Sequence, residues 1–130
     1  MTAKTLLRTL LLAGVGYFCA MAAAHFFGLK WPVLFVYYDT PFHAYQDKII
    51  SFAVLAYAGL FWQAAREPSA VPVALGVLAL TVAGLSHVTL SGALVQELQP
   101  GQPTWPYWAQ IAMIAGYLAA LLAAWRAASR

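Results

Sequence analysis

Polar residues along this chain gather in a few short clusters, and between them run four apolar stretches, at about 5–28, 41–66, 71–95 and 104–125. A run of ~20 apolar residues spans a bilayer as a helix, because hydrocarbon leaves an open backbone group without a partner. The pattern therefore predicts an all-α integral membrane four-helix bundle. One transmembrane domain covers residues 1–130.

The punctuation between the runs agrees with this reading. Gly28 closes the first helix, and Trp31-Pro32 follow as an interfacial aromatic and a breaker. The apolar segment Trp31–Tyr38 is too short to span and is expected as a short interfacial stretch. Asp39 or Thr40 can cap the second helix, with Pro41 at its first position. At 1.5 Å per residue the 41–66 run is about 39 Å long, so its first two turns should stand at the interface. Arg66-Glu67-Pro68-Ser69 makes a polar turn, and 99–103 is a Pro/Gly loop. Thr104 is expected to cap the fourth helix, behind a belt of Trp105, Tyr107 and Trp108.

Composition sharpens the picture. Only 8% of the residues are charged and 63% are hydrophobic, and the mean hydropathy is +0.73. In 130 residues four spans leave no room for a separate soluble domain. The basic residues are scattered, which argues against nucleic acid as a partner. Instead they orient the chain. With the N-terminus inside, Lys4, Arg8, Arg66, Arg126 and Arg130 lie on the inner side and only Lys30 and Lys48 outside, so both termini are expected in the cytoplasm of a cell whose inner membrane holds the protein, in a bacterial setting. The N-terminal run resembles a signal peptide up to Ala24, but it continues through Phe27 and is long enough to be retained as a span. Cys19 is expected as a buried, inert thiol; a single cysteine excludes an intrachain disulfide or a CxxC pair.

Chemistry should lie on the outer side, where all three histidines and most acids fall. His87 is expected about 24 Å along the third span, within the outer leaflet. His43 and Asp47 are four residues apart and share a helix face, which Ser51 and Val54 continue. A carboxylate beside an imidazole raises its basicity and orients its ring, and the same spacing suits two metal ligands. The candidate ligand-binding cluster is therefore His25, Asp39, His43, Tyr45, Asp47, His87 and Gln110. Within it, His25, His43, Asp47 and His87 are the candidate metal ligands, and His25 with His87 a candidate haem pair. Aromatics of the 29–40 segment and the fourth span form either an interfacial belt or the roof of a pocket for a lipid or quinone.

Small residues provide packing faces. Gly14, Gly16, Ala20 and Ala24 permit close approach on the first helix, and Ala112, Gly116, Ala120 and Ala124 form a ridge on the fourth, for use within the chain or towards a second protein or copy. No phosphate loop, HExxH or nucleophile elbow is present. The first run also lacks the central carboxylate that a small proton-coupled drug transporter needs. His43–Asp47 or His87–Glu97 can serve as a general acid–base pair, so enzymatic activity stays open. Two main readings follow. The leading one is an accessory or assembly subunit of a membrane complex. The alternative is a protein that binds a lipid, quinone, metal or haem in an outer-leaflet pocket.

Overall fold

The computed structural model describes residues 2–31, 38 and 43–130, the side chain of His43 excepted. It is helical: α1 (Ala3–Phe27), α2 (His43–Arg66), α3 (Val71–Leu90), the short α4 (Ala93–Glu97) and α5 (Trp105–Ala128), with a single 3-10 turn, Pro68–Ala70, leading into α3. Four helices are long and apolar enough to cross a membrane: Ala3–Phe27, Ala44–Arg66, Pro68–Leu90 and Trp105–Ala128.

The helix ends follow local chemistry. α1 starts earlier than its apolar run because Thr2 caps it, its Oγ1 accepting from Thr5 N–H at 3.2 Å. Gly28 ends it at φ 68°, a left-handed turn in which Gly28 and Leu29 N–H groups reach back to His25 and Ala24 carbonyls. The third span does not run unbroken to residue 95. α3 stops at Leu90, and Gly92 at φ 78° turns the chain before α4. Glycine adopts that φ without the Cβ penalty, so an apolar count that continues past it overestimates the helix. Thr104 stands at the start of α5 without a side-chain capping bond; its carbonyl receives Tyr107 and Trp108 N–H instead. The expected caps Asp39 and Thr40, Pro41, and residues 32–37 of the interfacial stretch lie outside the described residues.

α1 lies along α2; α3 touches α2 and α5; α5 returns to α1. The most deeply buried side chains come from all four long helices: Leu11 of α1, Phe61 of α2, Val71 and Leu78 of α3, and Leu121 of α5. The buried residues of α3 all fall between Val71 and Leu78. Its later turns face outward, with Leu80 and Leu90 each 74% exposed. The helices are apolar on their outer surfaces too, as expected of helices solvated by lipid.

At Gly14 side chains from two other helices close in on α1. A Cβ there would collide with the Tyr117 hydroxyl and the Phe61 ring. This space lets Phe61 and Tyr117 reach across from α2 and α5, their rings stacked at 6.1 Å. Phe18 packs edge-on against Phe61 at 5.2 Å and Tyr57 lies 5.2 Å away. The Tyr117 hydroxyl donates to the Leu10 carbonyl at 2.7 Å, tying α5 to α1. Between α2 and α3, Thr81 donates to Val77 O at 2.9 Å, so its oxygen accepts the Tyr57 hydroxyl at 2.7 Å.

The ridge on α5 is not a packing face within the chain. Ala112, Gly116 and Ala120 are exposed and only Ala124 is buried, because the opposite stripe of Ile111, Ile114, Tyr117 and Leu121 takes the core. Gly16 and Ala20 are likewise exposed while Gly14 and Ala24 are buried. Cys19 is exposed rather than buried, since Phe18, Met21 and Ala22 occupy the inward positions around it.

Gly14→Leu is expected to lower thermal stability in detergent by about 2–3 kcal/mol through overpacking. Gly116→Leu, with open space around it, should stay within about 0.5 kcal/mol of the parent. Equal melting of the two variants would contradict this account of the seam.

Candidate functional site

The end of α1 and the start of α2 come together at the side of the molecule away from the chain termini. The Gly28 turn allows Lys30 to fold back beside them. Asp47 is buried, 7% exposed, and is the only ionisable residue in the buried class among the described residues. His25 Nδ1 donates to Asp47 Oδ1 at 3.1 Å, and Lys30 Nζ stands 3.5 Å from Asp47 Oδ2. The lysine contact is an ion pair without hydrogen-bond alignment, since Oδ2 has no hydrogen-bond partner among the described residues. One turn on, the buried Ser51 satisfies itself by donating to Lys48 O at 2.6 Å.

Magnitudes explain why the carboxylate has both an ammonium and an imidazole beside it. Desolvating a carboxylate costs several kcal/mol, and an opposite charge ~4 Å away returns about 4 kcal/mol at an effective dielectric constant of ~20. One partner roughly balances the loss. The second partner, and the hydrogen bond to the ring, tip it towards retention. The bond from Nδ1 also sets the ring's orientation and leaves Nε2 without a partner among the described residues.

These groups open onto a cleft of about 600 Å³, lined by His25, Phe26, Phe27, Lys30, Asp47 and Lys48. Its walls combine two exposed aromatic rings, stacked edge-on at 5.2 Å, with three cationic or potentially cationic groups and one carboxylate. Such a lining suits an amphiphile: a polar head on the His–Asp–Lys cluster and an apolar body against the phenylalanines.

Of the residues expected to form the site, the structure brings together His25 and Asp47. Lys30 joins them; as a charge beyond a helix end it carries only an orientation signal in the sequence, and the fold-back at Gly28 is what brings it in. The His43 side chain and Asp39 lie outside the described residues. Tyr45 is 71% exposed. His87 is exposed on the outward half of α3 and its side chain has no partner among the described residues. Glu97 is exposed on α4 with no ion pair among the described residues, so no His87–Glu97 pair forms. Gln110 is half-buried and hydrogen-bonds Tyr17 of α1, linking α5 to α1 within the membrane span. Among the described residues no three His, Cys, Asp or Glu side chains are grouped to hold a metal ion. Of the outer aromatics, Tyr38 meets Tyr107 with ring centroids 6.1 Å apart.

Comparison with protein-family models, with curated proteins and with solved structures finds no match to this chain.

The His25–Asp47 pair predicts energetic coupling. In a double-mutant cycle with His25→Ala and Asp47→Ala, unfolding in detergent should give an interaction energy of about 1 kcal/mol or more. Asp47→Ala alone should be strongly destabilising, by roughly 2–4 kcal/mol, because it leaves the Lys30 ammonium without its counter-charge and the His25 Nδ1–H without its acceptor. Additive effects of the two substitutions would mean that the pair does not form.

Proposed function

We propose that this protein is a small multi-pass protein of the inner membrane that binds an amphiphilic, lipid- or quinone-like ligand at the outer membrane surface. The observation that carries this reading is Asp47, a carboxylate buried at the end of a transmembrane helix pair and held between His25 and Lys30 at a cleft. Intramembrane ionisable groups are costly and mark functional sites more often than structural ones. In this reading Nε2 of His25 and the Lys30 and Lys48 ammonium groups meet the ligand's polar head, and Asp47 orients the ring. The lipid or quinone form is preferred to metal or haem on the donor set. Among the described residues only His25 and Asp47 of the candidate ligands meet, and the Lys30 ammonium stands at the carboxylate's second oxygen, where a metal cation would have to compete with it.

The proposed orientation has both termini in the cytoplasm and the His25–Asp47 cleft outside. Its support is the distribution of basic residues, with Lys4, Arg8 and Arg66 around the end where the chain starts and finishes. A second reading, assembly into a larger membrane complex or a homo-oligomer, draws on the outward Ala112-Gly116-Ala120 ridge of α5. The two are compatible, since a small binding subunit commonly works beside a larger partner.

The ligand reading is tested by extracting the protein purified in mild detergent with organic solvent and comparing extracts by mass spectrometry. Wild type should carry a lipophilic compound that Asp47→Asn loses at least in large part while keeping its fold. Identical extracts from both would overturn the proposal. For orientation, a reporter fused after Arg130 should be active only in the cytoplasm; periplasmic activity would reverse the topology.

A further inference from the structure

The other end of the molecule holds a second cleft. The first turns of α1, the last turn of α2, the entry into α3 and the last turn of α5 enclose about 240 Å³. Its deep wall is apolar: Leu11 and Val71 are almost fully buried and Leu7 nearly so, with Trp125 beside them. Its mouth carries Lys4, Arg8 and Arg66, all exposed. Lys4 and Arg8 stand one turn apart on α1, and Arg66 approaches from α2, so the three charges converge from two helices. The Arg66 guanidinium sits 6.0 Å over the Trp62 ring, which holds it at the edge of the apolar surface.

None of the three cations forms an ion pair with a carboxylate among the described residues. Glu67, the acid adjacent to Arg66, is exposed and also forms none. Three converging cations without a counter-charge, over an apolar wall, at the level where a membrane helix leaves the hydrocarbon, match one chemistry: a phosphate ester on an apolar body. The volume equals that of about eight water molecules at ~30 Å³ each, enough for a headgroup and glycerol but not for acyl chains. The chains would lie along the outer helix surfaces, which are apolar.

We propose that this cleft is a binding site for an anionic membrane phospholipid. Its phosphate is held by Lys4, Arg8 and Arg66, and its glycerol lies against Leu7, Leu11, Val71 and Trp125. Arginine fits this role through its planar fork of donors, which grips phosphate oxygens in pairs. Basic clefts between transmembrane helices on the cytoplasmic side recur as headgroup sites. The site is separate from the His25–Asp47 cleft and does not depend on what that cleft binds.

The full-length protein in mild detergent, titrated with phosphatidylglycerol or phosphatidylcholine and observed by native mass spectrometry, tests this. Wild type should retain phosphatidylglycerol in preference to phosphatidylcholine. R8Q/R66Q should lose that preference by roughly thirtyfold, as expected when two headgroup cations are removed. R126Q/R130Q, which removes the same charge from the same end but outside the cleft, should keep it. If R8Q/R66Q does not fold, K4Q alone reads the same site at an exposed position and should lower the preference in the same direction. Equal loss in R126Q/R130Q, or no preference in wild type, overturns the proposal in favour of diffuse attraction. Release of the bound lipid by excess inorganic phosphate would also overturn it, because the cleft would then recognise free phosphate rather than a lipid.

Discussion

Hydrocarbon cannot accept or donate a hydrogen bond, and this constraint orders the interior of the molecule. Four hydroxyls at depth are satisfied by protein: Tyr117 by the Leu10 carbonyl, Tyr57 by Thr81, Thr81 by Val77, and Ser86 by Val82. Two of these bonds run between helices, so the polar groups also fix which helices are neighbours. The aromatic cluster around Phe61 fills the space between them, and Gly14 supplies the room it needs. Apolar helices immersed in lipid gain little from burying more apolar surface, so close packing and interhelical hydrogen bonds decide the arrangement.

The same constraint makes the two ends of the molecule distinct. Charge is tolerated only where water is near or where opposite charges meet. At one end the cations Lys4, Arg8 and Arg66 surround the mouth of an apolar cleft, with no carboxylate paired to them among the described residues. At the other end Asp47 is buried, and His25 and Lys30 gather around it. An interior held together by neutral hydrogen bonds and aromatic contacts thus separates two charged ends of opposite design: one of cations without an ion pair among the described residues, the other built around the buried Asp47.

The spans themselves were legible in the sequence, because length and unbroken apolarity are local properties that a bilayer reads directly. The Gly28 stop was legible too, since glycine after an apolar run has a known conformational role. The Gly92 break was not, because Ala93, Leu94 and Val95 continue the apolar run beyond it and hydropathy alone carries no φ. The partner of Asp47 was the least legible feature. Spacing along α2 points to His43, four residues away, whose side chain lies outside the described residues; it gives no sign of the bond that comes from His25, on another helix and 22 positions earlier. Helix periodicity encodes neighbours on one helix; it is silent about which ends of different helices are brought together. The ridge of α5 misleads for a related reason. Small residues permit close approach, but the wider stripe of Ile111, Ile114, Tyr117 and Leu121 already meets the complementary gap at Gly14.

The contact between His25 and Asp47 is what holds the cleft at their end of the molecule together, and histidine NMR reads it directly. With three histidines in the chain, ring ¹⁵N resonances of the labelled protein in micelles can be assigned by replacing His43 and His87 in turn. The account predicts a His25 ring with a hydrogen-bonded Nδ1–H signal distinct from that of exposed His87, and its collapse to a solvent-like pattern in Asp47→Asn. A His25 spectrum unchanged by that substitution would contradict it.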